Sequence, residues 1–400
     1  MQAPTDPLPP YDFQTWWACV GEWQAVNLAL ATIAALVIRG FALGRLPRRP
    51  EEGQGRRWLR DVLAMLVALV LALGGVVLGG AMALVAHFRI SVFMLPAAFA
   101  FYLCGLCLPV LALVPALTRK EWLRVATAAM PVALSLAMLF IEPNRLEIRE
   151  ETIELPTLPR GSRIKVAHLT DLQCVEVGER DHAAAAAVDR FDPDFVAFTG
   201  DLIATGMHPT LVAHVRAWLA GLRSRSTRYV VNGDCDGDFD GLVRDLPGIE
   251  YLKDRGMAVD IRGAKLWIAG LDNKKRPPDP ALALRDAPAG ATRIFLAHNP
   301  DYFAHAWKGG EWHAELGLAG HTHGGQIQLP FYGAPVTLTK IGRRYADGVF
   351  GPEQFSPQFQ WRVDRFVVCA GLGMEGGFAP RVRLLRPPQV MLLTLVGPEK

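Results

Sequence analysis

The sequence predicts an α/β domain placed behind four membrane-length apolar segments, and three observations lead there. Within the first 141 positions lie four apolar stretches near the ~20 residues that a helix needs to cross a bilayer. From about residue 145 onward, short runs rich in Val, Ile and Phe recur between helix-like or turn segments, the pattern of buried strands in an α/β sheet. Six of those runs end in an acid or a histidine. Ligands in open α/β sheets gather outside the carboxyl ends of the strands.

Residues 1–24 form an N-terminal segment, and 25–141 hold the four apolar stretches, at 25–44, 62–86, 91–117 and 122–141. Arg39 and Arg124 sit near the ends of the first and fourth, where a long side chain reaches the headgroups. A cleaved signal peptide does not fit, because the chain begins without a basic region. The loop between the first two stretches carries Arg45, Arg48, Arg49, Arg56, Arg57 and Arg60, whereas no Lys or Arg precedes the first. Basic loops stay cytoplasmic, so both termini are expected outside. This describes an integral protein of an inner or plasma membrane with an extracytoplasmic C-terminal domain. Trp16, Trp17 and Trp23 read as an interfacial belt, and Cys104 with Cys107, inside an apolar stretch, as membrane packing rather than a redox pair. The spans lack paired acids, which argues against a transporter.

Residues 142–160 read as a linker that becomes a first strand, alternating apolar with polar from Leu146 to Leu155, and 161–400 as one domain. The six runs end at Asp171, Asp201, Asp234, Asp272, His298, and the pair His321 and His323. The third continues into "GDCDGDFDG". A calcium loop is excluded there, since one register puts Phe239 at the sixth place and the other puts Pro247 at the twelfth. A polar turn and a larger metal site both remain open on this segment alone. Three carboxylates meeting without a counter-ion repel strongly, and divalent cations resolve that. Gly320, Gly324 and Gly325 let the backbone turn both imidazoles of "GHTHGGQ" toward one place. The formal charge of +3 with no aromatic-basic stripe gives no reason to expect nucleic acid.

In order, "DLQ", "GD", "GDCD", "HNPD" and "GHTHGGQ" resemble the blocks of the calcineurin-like metallophosphoesterase superfamily, in particular its bacterial membrane-associated branch. The resemblance implies a β-sandwich of two mixed sheets flanked by helices, preceded here by the four-helix transmembrane region. It implies two divalent metals, from Mn, Zn, Fe or Mg, with Mn favoured. Asp201 would bridge them, with Asp171, Gln173 and His323 on one and Asp234, His298 and His321 on the other. Cys235 stands where the family has its leaving-group histidine, with Asp236 as its partner acid; Asp238 and Asp240 read as solvated turn acids. Gln173 stands in a histidine place and is expected to ligate weakly through its amide oxygen.

The expected reaction is hydrolysis of a phosphate mono- or diester by a metal-bridging hydroxide, with preference for good leaving groups because Cys235 cannot imitate a histidinium. Expected partners are membrane lipids and a phosphoester substrate, lipid-linked forms included. The alternative is a catalytically degenerate metal-binding membrane scaffold or sensor. The basic stretch 379–388, with Arg381, Arg383 and Arg386, reads as an exposed strand before a phosphate contact.

Overall fold

Strand alternation shapes the domain. In Arg163–Leu169, Ile164 and Val166 join one apolar cluster while Ala167 and Leu169 join another, so successive side chains leave opposite faces of the sheet. The computed structural model describes residue 133 and residues 137–174, 177–204, 209–274, 279–304, 311–334, 336–375 and 382–399. The four predicted spans lie outside these residues, apart from Ala133 and Ala137–Ile141 at the end of the fourth. Among the described residues no helix is long and apolar enough to cross a membrane.

In chain order the strands are β1 (Glu147–Glu154), β2 (Arg163–Leu169), β3 (Phe195–Thr199), β4 (Arg228–Val231), β5 (Ile249–Tyr251), β6 (Arg255–Ile261), β7 (Ala264–Gly270), β8 (Thr292–Leu296), β9 (Ala314–Ala319), β10 (Gly348–Phe350), β11 (Val363–Val368) and β12 (Gln389–Val396). They make two six-stranded mixed sheets, ordered β1-β12-β2-β3-β4-β5 and β10-β11-β9-β8-β7-β6. Strands β2 to β5 are mutually parallel, as are β7, β8, β9 and β11; antiparallel pairs occur at β12 with β2, β6 with β7, and β10 with β11. Between the sheets, Val166, Ala197 and Val231 pack with Ile268, Leu296 and Leu318 in one fully buried cluster.

Helices α1 (Glu179–Phe191), α2 (Pro209–Gly221) and α3 (Phe239–Val243) cover the outer face of the first sheet through Val188, Trp218 and Leu242. The outer face of the second is covered by α4 (Pro280–Leu284) and by aromatic packing of Phe303, Tyr345 and Trp361 around Phe366. All six runs predicted as strands are strands, three in each sheet. Their carboxyl ends therefore come from two facing sheets, and they meet at a shared rim.

The basic stretch is the correction. Its described part, residues 382–388, forms no strand beyond a single bridge of Leu384 to Ile327, and Arg383 is fully buried rather than exposed. The physical reason is that several loops aim carbonyl oxygens at one point, and a guanidinium with five donors satisfies them.

Candidate metal centre

Each predicted ligand stands just past a strand end, where the backbone must turn sharply. Asp171, Gln173, Asp201, His321 and His323 all take positive φ, between 31° and 69°. Non-glycine residues rarely adopt this region, and clustered strain of this kind marks functional sites. Neighbouring glycines permit it: a Cβ on Gly233 would collide with the Asp201 carboxylate, and one on Gly320 with Thr170 and Asp171. Backbone bonds from Asp171 N–H to Gly200 O and from Gln173 N–H to Asp201 O, both 2.9 Å, lock the first two turns together.

The six predicted groups converge. His298 Nε2 lies 2.8 Å from Asp234 Oδ1, 3.3 Å from Asp201 Oδ2 and 4.0 Å from Asp171 Oδ1. His321 Nδ1 is 3.2 Å from both Asp234 Oδ1 and His298 Nε2. His323 Nε2 is 3.3 Å from Asp171 Oδ1. His298 Nδ1 sits 2.7 Å from the Thr199 carbonyl, which only accepts, so Nδ1 carries the hydrogen and Nε2 presents its lone pair to three carboxylates.

Such a set of acceptors is stable only around a cation. Without metal, a proton substitutes: the neighbouring carboxylates of Asp201 and Asp171 hold His298 well above its usual pKa against the opposing effect of burial, and Asp234 does the same for His321. Burial, helped by Asp201, raises Asp171 to about 7. Asp171 Oδ2 takes hydrogen bonds from Thr170 Oγ1 at 2.7 Å and His321 N–H at 2.9 Å, whereas its buried Oδ1 accepts none. Three three-residue sets at this rim have ligand atoms close enough to share an ion: Asp171, Asp201 and His298; Asp234, His298 and His321; and Asp201, Asp234 and Cys235; a fourth, His313, Glu315 and Asp364, shares none of these residues. The residues fit divalent cations.

No family model matches the chain. The metallophosphoesterase YkuE of Bacillus subtilis is 28% identical over 272 residues, covering 64% of this chain and 87% of that protein. A metallophosphoesterase of Aquifex aeolicus is 28% identical over 271 residues, covering 64% and 94% respectively. Among solved structures, the phosphoesterase Yfce of E. coli covers 55% of this chain and 85% of its own at 14% identity and a TM-score of 0.26. These relatives agree with the resemblance to the calcineurin-like metallophosphoesterase superfamily and support a metal-dependent phosphoric ester hydrolase.

Gln173, Asp236 and Cys235 stand beside the candidate ligands. Gln173 Nε2 is 2.8 Å from Asp201 Oδ2, 3.3 Å from Glu375 Oε2 and 3.5 Å from Cys235 Sγ. An amide ringed by acceptors donates, so Gln173 as placed bonds to the Asp201 carboxylate rather than offering its oxygen to a cation. Asp236 uses both oxygens to accept from the backbone N–H groups of Asp201, Leu202 and Gly233, each at 2.8 Å. Its carboxylate clamps the Asp201 turn. Burial pushes it up to about 6. The Cys235 thiol is held well above its usual pKa, first by desolvation and then by Asp201 and Glu375, while its backbone N–H donates to Asp201 Oδ1 at 2.9 Å.

Two residues went unnoticed as site residues in the sequence. Glu375 approaches Gln173 and lies 3.7 Å from Cys235 Sγ, bringing another carboxylate to the rim. Arg383 donates to the carbonyls of His323, Ala370, Gly371, Gly373, Arg386 and Pro387 at 2.6 to 3.3 Å. It therefore ties the His323 loop to residues 370–373, whose Leu372 N–H bonds Thr170 O beside Asp171. Asp272 ends a strand as the ligands do, yet it accepts from Asn232 Nδ2 at 2.7 Å, outside the sets that could hold an ion.

Proposed function

We propose that this domain hydrolyses a phosphate mono- or diester using two divalent cations, in a chain anchored to a membrane by its N-terminal segments. The observation that carries the reading is the meeting of Asp171, Asp201, Asp234, His298, His321 and His323 in one cluster with no Lys or Arg among them. Asp201 is the bridging candidate, because it shares ion-sized sets with Asp171 and His298 on one side and with Asp234 and Cys235 on the other. His323 and Asp171 would hold the first cation and His321 and Asp234 the second, with His298 facing the carboxylates of Asp171, Asp201 and Asp234. When bound, two such cations activate a water and hold the phosphoryl oxygens for in-line displacement.

The chain's own residues arrange this. Asp236 fixes the Asp201 turn through three N–H bonds, Thr199 fixes the His298 tautomer, and Gln173 orients the free side of the Asp201 carboxylate. No imidazole stands at position 235, so substrates with good leaving groups are favoured. The Gln173 donor also supports a second reading, a metal-binding scaffold or sensor without turnover.

One experiment separates the two. The full chain, stripped with chelator and refilled with Mn²⁺, is expected to hydrolyse a chromogenic phosphodiester and to bind two equivalents of metal. Asp201→Asn is expected to lose both turnover and metal. Metal binding without turnover in the natural chain selects the scaffold, and turnover surviving in Asp201→Asn defeats the two-metal reading. The extracytoplasmic placement rests on the arginine-rich loop before residue 61. Activity of a C-terminal fusion reporter that works only in the cytoplasm would reverse it.

A further inference from the structure

Every large apolar side chain exposed in the described residues belongs to one short roll: Phe140, Ile141, Ile148, Leu329, Phe331, Tyr332 and Leu385. Backbone bonds connect their segments. Arg383 N–H bonds Met138 O at 3.2 Å, just before Phe140. Leu384 N–H bonds Gln326 O, and Gln328 N–H bonds Leu384 O, both at 2.9 Å, joining residue 385 to the turn of residues 329–333. That turn is closed by reciprocal bonds between Leu329 and Gly333, each 2.9 Å.

The turn is costly as built. Phe331 is fully exposed and takes φ 65°, and Leu385 is exposed at φ 53°. They are the only apolar side chains at positive φ among the described residues. A bulky residue there is strained, and a Gly or Asn would relieve it. Strain and exposure in the same side chains point outward, to something that covers them.

Basic groups border the apolar tips. Arg343 stacks on the Tyr332 ring at 4.0 Å, and among the described residues neither it nor Arg344 forms an ion pair. An open pocket of about 470 Å³ beside the turn is lined by Tyr332, Asp347, Arg149, Arg343, Arg344 and Arg386; Arg149 pairs with Glu151 and Arg386 with Asp347, which leaves Arg343 and Arg344 as its unneutralised cations among the described residues. It adjoins the metal loop: Gln328 Nε2 donates to Gly324 O at 3.3 Å, and a Cβ on Gly324 would lie 2.7 Å from Arg386 Cγ. Apolar tips ringed by arginines match the boundary of an anionic bilayer, where rings enter the acyl edge and guanidinium groups meet phosphates.

We infer that this face lies on the lipid surface, with Phe331 and Leu385 entering it and the arginine pocket holding an anionic headgroup phosphate beside the metal centre. The inference deepens the membrane reading proposed above and rests on it for the presence of the bilayer. A substrate carried in that bilayer would then enter the site from its lipid side, without leaving the membrane.

The test uses the full chain reconstituted in vesicles of equimolar phosphatidylglycerol and phosphatidylcholine, with the photoreactive benzoylphenylalanine placed at position 331 or, as control, at exposed Asp286. Phospholipid adducts are expected from position 331 and not from 286, with phosphatidylglycerol favoured roughly 25-fold, the product of two arginines at about fivefold each. Arg343→Gln with Arg344→Gln should bring that preference close to parity while Mn²⁺ stoichiometry stays unchanged. Protein adducts alone at 331, or equal lipid labelling at 286, would overturn the inference in a chain that resists alkaline extraction. Release of the chain by alkaline carbonate would instead defeat the anchoring reading, and lipid adducts at 331 in that released form would leave the surface contact standing.

Discussion

Replacing Arg383 by methionine removes the guanidinium while keeping most of the side-chain volume, so it isolates what the donors contribute. Six carbonyls receive those donors in the folded chain. His323 O and Gly371 O keep a second donor, the amides of Gln326 and Gln389. The carbonyls of Ala370, Gly373, Arg386 and Pro387 depend on Arg383 among the described residues. A buried acceptor left unsatisfied costs ~1 kcal/mol or more, which puts the loss near 4 kcal/mol. Set against the ~5–15 kcal/mol of a typical domain, this leaves the protein folded but weakened, with a melting midpoint lower by roughly 8–16 °C. Because the carbonyls belong to the His323 loop and to residues behind Asp171, metal binding should suffer unevenly, with stoichiometry falling from two toward one. Arg383→Lys should recover only part of both effects, since an ammonium has three donors and no planar fork. Calorimetric melting and metal analysis of the purified chain at matched Mn²⁺ test this. Arg383→Met with natural stability and two bound metals would refute the reasoning.

Two further outcomes follow from single residues. Cys235→His should raise turnover of alkyl phosphodiesters relative to aryl ones by tenfold or more, because an imidazole beside Glu375 can protonate a poor leaving group; an unchanged alkyl-to-aryl ratio counts against that role for the position. His168 is fully buried beside Thr199, and burial lowers its pKa from 6.5 to about 3. Between those values only the unfolded chain carries the proton, so stability falls as pH drops below 6.5, by about 2 kcal/mol at pH 5. His168→Leu should remove that part of the acid sensitivity, read as a smaller shift of the denaturant midpoint between pH 7.5 and 5 than in the natural chain.

What the sequence made legible was local. An apolar run of Val, Ile and Phe that stops at a chemical group is written within eight residues, as in "FVAFTGD", and both its strand and its terminal acid are where the pattern puts them. Strand β12 is just as apolar, but it ends in nothing reactive, and its place between β1 and β2 depends on pairing across more than 200 positions. Arg383 reads as surface because three arginines in "RVRLLR" suggest a solvated stretch; only the convergence of distant carbonyls makes it a buried keystone. Glu375, set among glycines in "GMEGG", carries no periodicity at all and acquires its setting from Gln173 and Cys235 on other loops.

The acids around the rim look alike in one dimension and separate once their donors are counted. Asp236 spends both oxygens on three backbone N–H groups, so its charge is neutralised by the fold and it positions its neighbour. Asp171 spends one oxygen on Thr170 and His321 and turns the other, buried and without a hydrogen bond, toward His323 and His298. A carboxylate half satisfied in a low-dielectric interior is unfavourable unless an ion completes it. Asp201 lies between these cases, holding Cys235 N–H on one oxygen and the Gln173 amide on the other. In the proposed two-cation site, an ion at Asp201 would have to share or displace the Gln173 donor, so an amide at position 173 would weaken binding at Asp201 more than at the outer ligands. Asp171 and His323 on one side, and Asp234 with His321 on the other, keep their lone pairs directed inward, and on that ground metal affinity should reside there.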